Sequence, residues 1–214
     1  MSGIQAAWYR ADRGVTGSPS ITAVTDLSGQ GWNLSVNVNS PQLVTDGGLP
    51  AIRMTGASAQ EVRTTAPATC ASAYTIAACI KIDTSAILNN YLFGVFRARG
   101  VAIGSTNANY VDRHAGVINI TVSAVDTANY KTIIATTTSS GATPKIWVNG
   151  VLQTNSPAGS QVYNNATSVG DFISIGYDAA STQGYFREGI WLDRACTDGE
   201  AAKLHSYLSA WGVA

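Results

Sequence analysis

Pro144-Lys145-Ile146-Trp147-Val148-Asn149-Gly150-Val151-Leu152-Gln153 is the stretch on which the fold turns. Two short runs of β-branched and aromatic residues flank an Asn-Gly pair. A two-residue type I′ turn requires positive φ at both central positions, which Asn and Gly tolerate best, so the stretch predicts a β-hairpin. Alternation places Ile146 and Val148 on one face and Trp147 on the other, with Val151 and Gln153 facing away from Leu152 on the return strand.

The chain on either side reads as more strand. Tyr74 to Asp83 alternates over its whole length, with Tyr74, Ile76, Ala78, Ile80 and Ile82 on one face and Thr75, Ala77, Cys79 and Lys81 on the other. Lys131 to Thr138, Phe172 to Tyr177 and Tyr185 to Asp193 carry the same signature. Shorter strands are predicted at Leu34 to Val38, Ala51 to Met54, Gln60 to Arg63, Tyr91 to Arg97, Val101 to Gly104 and Val117 to Val125. Pro41 to Pro50, Ser105 to Gly116 and Gln153 to Gly170 read as loops. Trp8 to Leu34 reads as an opening strand followed by loop, punctuated too often by Gly, Asp and Pro for a helix. Within it, Thr25-Asp26-Leu27-Ser28-Gly29-Gln30-Gly31 predicts a double turn, its Asp and Ser side chains accepting from backbone N–H groups two residues on.

One helix is expected, at the C-terminal end. Thr197-Asp198-Gly199-Glu200 has the form of a capping box, Leu204, Leu208 and Trp211 follow at helical spacing, and Gly212 stands where a C′ residue would. So narrow an apolar stripe predicts a helix lying across the edge of the sheets. About a dozen strands and one helix imply two antiparallel sheets packed face to face, an all-β sandwich forming one domain over residues 1–214.

Charged residues make up 12% of the chain and the formal net charge is zero, so no electrostatic field favours nucleic acid, and neither Lys nor Arg clusters. No apolar run is long enough to cross a bilayer, and the N-terminal residues have no signal-peptide pattern. Cys70, Cys79 and Cys196 have no metal-type spacing. Cys79, inside a strand pattern, reads as a buried thiol, with a Cys70–Cys79 bridge as the open alternative. No cofactor is implied.

Lys145-Ile146-Trp147-Val148-Asn149-Gly150-Val151-Leu152, Phe172-Ile173-Ser174-Ile175-Gly176 and the closing Ile190-Trp191-Leu192-Asp193-Arg194-Ala195-Cys196-Thr197-Asp198-Gly199-Glu200 together resemble the concanavalin A-like, laminin-G-type jelly roll. Thr25 to Gly31 and Leu49 to Gly56 are similar to its microbial and bacteriophage branch. The resemblance runs from Trp8 to Gly212 and implies a jelly-roll sandwich. It says little about activity, because this fold hosts lectins, glycosidases and passive structural domains.

Retaining glycosidases of this fold set paired carboxylates on one strand, which the mechanism needs about 5 Å apart. The chain has three Glu (Glu61, Glu188 and Glu200), none with a carboxylate at i+2. A chain without enzymatic activity is therefore expected. Asp171 and Asp178 are the alternative pair. Saccharide binding needs an exposed aromatic face beside hydrogen-bonding groups. Asn107, Asn109, Tyr110 and Asp112, with His114 close by, supply these in one loop. Tyr163, Asn164 and Asn165 supply them in another. Tyr and Asn are also common at β-turns, which is the plain alternative. His205 reads as a packing residue of the helix. Metal sites would need an Asp-rich loop, and none occurs.

These readings rank a bacteriophage virion protein first, a surface decoration or small tail or fibre component in a homo-oligomer or symmetric array with other virion proteins. It would be assembled in the host cytoplasm and free to touch host-surface glycans. A lectin-like carbohydrate-binding module is the alternative, and a glycoside hydrolase ranks third.

Overall fold

A computed structural model describes residues 6–56, 58–66, 73–83, 90–96, 99–103, 109–114, 116–121, 129–138, 145–153, 172–177 and 183–212. In chain order the strands are β1 (Ala6–Arg10), β2 (Val15–Thr16), β3 (Ala23–Val24), β4 (Leu34–Val38), β5 (Gln42–Asp46) and β6 (Leu49–Thr55). Next come β7 (Gln60–Thr64), β8 (Tyr74–Ile82), β9 (Asn90–Phe96), β10 (Arg99–Ile103), β11 (Asn109–His114) and β12 (Gly116–Thr121). The last are β13 (Lys131–Thr137), β14 (Lys145–Val148), β15 (Val151–Leu152), β16 (Phe172–Tyr177) and β17 (Gln183–Leu192), followed by the helix α1 (Asp198–Ser209).

All ladders between these strands are antiparallel, and they form two sheets. The first runs β15-β14-β13-β8-β17-β6-β5, with β1 also on β17; the second runs β12-β11-β10-β9-β16-β7-β4-β3-β2. The all-β sandwich expected from the strand pattern is the observed architecture. The Asn149–Gly150 turn has φ of 48° and 77°, as a type I′ hairpin demands. It sits at the margin of the first sheet, however, because β15 is that sheet's edge strand. The centre is the β8–β17 pair.

The core fills the space between the sheets, and alternation decides who enters it. Ile76, Ala78 and Ile80 of β8, Phe186 and Trp191 of β17, and Ile133 and Ile146 of β13 and β14 meet Val62, Phe93, Ile173 and Ile175 of the second sheet. Each large apolar side chain buried this way contributes about 1.5–3 kcal/mol. Tyr74, Ile76, Ala78, Ile80 and Ile82 share the inner face, as their spacing predicts.

A second apolar layer lies on the opposite face of the first sheet. Ala77 and Cys79 of β8, Ile134 of β13 and Trp147 of β14 are covered there by Ala201, Leu208 and Trp211. The helix therefore lies on the outer face over β13 and β8, not across the sandwich edge. The Thr–Ala–Cys alternation of β8 left that face apolar enough to need covering. Thr197 accepts from Glu200 N–H at 3.2 Å and Glu200 accepts from Thr197 N–H at 2.8 Å, so the capping box forms as predicted. His205 Nδ1 lies 2.7 Å from Thr132 Oγ1 and pins the helix to β13.

Two other local readings change. Pro41 to Pro50 is not a loop: β5 and β6 pair across Gly47-Gly48. Residues Asn109–His114 are strand β11, which pairs with both β10 and β12. The predicted strands around Arg53 and Val62, neighbours in sequence, lie in different sheets. The Thr25–Gly31 double turn is as expected. Asp26 Oδ1 accepts from Trp8 N–H at 3.0 Å and Ser28 N–H at 2.9 Å, and Oδ2 from Ser28 Oγ at 2.7 Å and Trp32 N–H at 3.1 Å. Cys79 and Cys196 are free and buried, so Cys79 is in no bridge; Cys70 lies outside the described residues.

Candidate functional site

β17 delivers the chain to the outer face, and the turn after Leu192 leads into the capping box. Residues Glu200, Lys203, Leu204 and Tyr207 recur at i, i+3, i+4 and i+7, so they line one flank of α1. With Leu192, Arg194 and Cys196 they enclose a groove of about 300 Å³.

The polar wall of this groove is built from one ion pair. Arg194 donates to both carboxylate oxygens of Glu200, at 2.7 Å and 3.1 Å, and to the Ala195 carbonyl at 3.1 Å. This two-point contact fixes both side chains in one plane. Arg194 first, then the Thr197 N–H, hold the Glu200 carboxyl down at about 2. Glu200 is thus ionised at neutral pH and acts as a hydrogen-bond acceptor.

The apolar wall ends in Tyr207, a residue 43% exposed. Its ring stands edge-on to Trp8, with centroids 6.5 Å apart and planes at 65°. Burial first, then the neighbouring Glu188 and its charge, push its hydroxyl up to about 12. Glu188 itself is fully buried and accepts from the indole N–H groups of Trp8, at 2.5 Å, and of Trp211. The groove therefore combines an exposed aromatic ring, tethered from behind, with a planar pair of charged groups.

A larger cleft of about 670 Å³ lies across the Cys196 connector, lined by Thr136–Thr138, Lys145, Ala195 and Cys196–Gly199. Lys145 and Asp198 pair across it at 2.7 Å. It has no aromatic wall among the described residues. In the second sheet Glu61 is fully buried, accepts from Asn37 at 2.7 Å and lies 3.6 Å from Arg63, whose guanidinium stands 4.5 Å from the Phe172 ring centroid. Among the described residues no three His, Cys, Asp or Glu side chains converge as a metal site would require.

The candidates named from sequence fall elsewhere. Asn109, Tyr110, Asp112 and His114 belong to strand β11 of the second sheet, not to a loop, and so are not in the layer that carries the groove. β11 keeps its backbone partners in Ile118 and Ile120 of β12 despite its polar side chains. Asn107, Tyr163, Asn164 and Asn165, with Asp171 and Asp178, lie outside the described residues. Sequence reasoning missed Tyr207. Its signal was the Glu200–Lys203–Leu204–Tyr207 spacing, read only for the cap and the apolar stripe.

No protein-family model matches this chain, and no curated protein matches it. Solved structures do. Domain 4 of AbnA, an extracellular arabinanase from Geobacillus stearothermophilus, in complex with arabinotriose, is 13% identical with a TM-score of 0.66, covering 94% of this chain and 98% of that one. Trypanosoma rangeli sialidase is 14% identical with a TM-score of 0.64, over 99% of this chain and 33% of that one. Botulinum neurotoxin type C, whose cell entry depends on interaction with two ganglioside molecules, is 13% identical with a TM-score of 0.65, over 95% of this chain and 51% of that one. This chain thus spans about a third of the sialidase and half of the neurotoxin chain.

These likenesses show the fold, a β-sandwich found in saccharide-binding and glycosidase proteins. They correct the expectation of a chain without enzymatic activity. That expectation leaned on a missing Glu pair, whereas the sandwich recurs in a sialidase and in a domain of an arabinanase. Arabinotriose accompanies one of these structures and gangliosides another, and nothing in the three speaks for a phage particle component.

Proposed function

We propose that this chain is a carbohydrate-binding β-sandwich that takes a saccharide in the groove beside α1. A sugar ring has an apolar C–H face and a rim of hydroxyls. The face lies on Tyr207 and Leu204, and the hydroxyls meet Arg194, Glu200 and Lys203. The observation that carries this reading is Tyr207, an exposed ring held edge-on to Trp8 next to a fixed donor–acceptor pair. Glu200, ionised, accepts from sugar hydroxyls. Arg194 commits three of its five N–H groups to Glu200 and Ala195, leaving others for a ligand. Support of a second kind comes from the arabinanase domain, matched over nearly the whole of both chains and solved with arabinotriose.

A glycan array followed by calorimetry tests this. The expected result is millimolar or tighter binding of at least one oligosaccharide, weakened about tenfold or more in Tyr207→Ala, a loss of roughly 1.4 kcal/mol. No binding to any arrayed glycan, or unchanged affinity in Tyr207→Ala, refutes it.

A further inference from the structure

Along β17 the pairing with β8 slips once. Phe186 is opposite Ile80 and Glu188 is opposite its neighbour Cys79, so Arg187 is an extra residue. This β-bulge lies where the other edge of β17 passes from β6, which pairs Gln183 to Phe186, to β1, which pairs Glu188 to Leu192. A bulge lets two consecutive side chains take the same side of a sheet. Arg187 and Glu188 both do so. Arg187 donates to the carbonyls of Trp211 and, at 2.6 Å, Asp46, and its guanidinium lies 3.4 Å from the Tyr130 ring centroid.

We propose that Glu188 is the positioning residue of the groove. Raised onto the outer face by the bulge, its carboxylate holds the Trp8 and Trp211 indoles, and Trp8 stands edge-on to Tyr207, so that Tyr207 presents a ring of fixed orientation to the saccharide. The proposal rests on the saccharide reading above.

Three observations carry it. Glu188 is fully buried and is not among the residues lining the groove, so it acts on a ligand only through others. Its donors come from two places, Trp8 on β1 and Trp211 just beyond α1, and the Trp8 ring stands edge-on to Tyr207 of α1 with centroids 6.5 Å apart. Arg10, paired with Asp12 at 2.8 Å, sits 5.9 Å from the Trp8 ring centroid and 5.0 Å from that of Trp211, closing the set from the solvent side. A buried carboxylate is tolerated only where such donors satisfy it, and here one of them, Trp8, packs against the groove's exposed aromatic. Ordering the Tyr207 ring during folding removes that cost from binding.

The test is a double-mutant cycle between Glu188→Gln and Trp8→Phe, read by calorimetry with arabinotriose and the tightest glycan of the array. Trp8→Phe keeps an aromatic edge beside Tyr207 and removes the N–H that Glu188 accepts from. Each single variant is expected to bind about tenfold more weakly, and the double variant no more weakly than either single. A residue that merely fastens β1 to α1 would lower the melting temperature and leave affinity unchanged or additive. Wild-type affinity in Trp8→Phe overturns the positioning role even if Glu188→Gln does not fold. Additive losses in the cycle also overturn it. Failure of the wild-type protein to bind arabinotriose or any arrayed glycan overturns instead the saccharide reading on which the proposal stands.

Discussion

Replacing Gly150 with Ala tests how the hairpin and the helix are joined. Gly150 has φ of +77°, and a Cβ built there meets the His205 ring at 2.5 Å from Cδ2 and 2.9 Å from Nε2. Two costs follow. An L-residue in the left-handed region loses about 1–2 kcal/mol. The imidazole must also move away, which breaks its 2.7 Å contact with Thr132 Oγ1, a further loss of about 1 kcal/mol. The sum is about 2–3 kcal/mol, which in a chain of this size lowers Tm by roughly 5–10 °C. Gly31→Ala is the control: its φ is +81° and nothing lies within 4 Å of a Cβ there, so it suffers the backbone cost alone. Differential scanning calorimetry on both variants separates the terms. In a His205→Ala background the Gly150→Ala penalty should fall to that of Gly31→Ala. The reasoning is refuted if Gly150→Ala costs no more than Gly31→Ala, or if its penalty is the same without the imidazole.

Asp26→Ala removes the acceptor of four hydrogen bonds and should cost about 3–5 kcal/mol in urea unfolding, with Asp26→Asn losing markedly less. Glu200 is held down at about 2, against 4.5 ordinarily, so between those values the unfolded chain binds the proton that the folded chain refuses. Stability from this group is present above the unfolded value and is lost as pH falls from about 5 to 2. Melting temperatures of the wild-type protein should accordingly drop more steeply across that window than those of Glu200→Gln, and parallel curves would count against the Arg194–Glu200 contact. Burial pushes the Cys79 thiol up to about 12 and raises Cys196. In a Cys70→Ser background, a thiol reagent at pH 8 should therefore label neither until denaturant is added; rapid labelling of the folded protein would contradict their burial.

The periodicity of the chain made the sandwich legible because a strand's two faces differ in what they touch. β8 shows this best: its inner set of Tyr74, Ile76, Ala78, Ile80 and Ile82 could be read from alternation alone. The capping box and the Asp26 turn were equally legible, since their hydrogen bonds join residues two or three apart. What failed was where strand pairing overrode local composition. Gly47-Gly48 joins β5 to β6, but Pro50 beside it reads as a loop signal; Pro50 lies near the start of β6, where a proline is tolerated. β11 has too many polar residues to read as strand, and its register comes from β10 and β12.

The groove shows why a site is harder to read than a fold. Glu188 follows Arg187 in the middle of a strand, and strict alternation would send one of the two charges into the core among Phe93, Phe186 and Trp191. Two adjacent charged residues in so apolar a strand are thus a local inconsistency, and a bulge resolves it by giving both the same face. Partners then have to come from far along the chain: Trp8 is 180 residues from Glu188 and Trp211 is 23. No spacing rule links those positions. The conflict between charge and alternation, however, is visible in Phe186-Arg187-Glu188-Gly189 itself. Gly189 strengthens the signal, because a Cβ there would meet Phe186 at 2.7 Å and Phe93 at 2.8 Å, fixing which face the strand regains after the slip. Gly189→Ala should therefore disturb the register that lifts Glu188 outward, and with it the Tyr207 ring. It should cost saccharide affinity as well as stability, whereas a cavity mutation such as Ile52→Val, in the same core but outside the bulge, should cost stability alone. Equal affinity in both variants would mean that the bulge does not govern the groove.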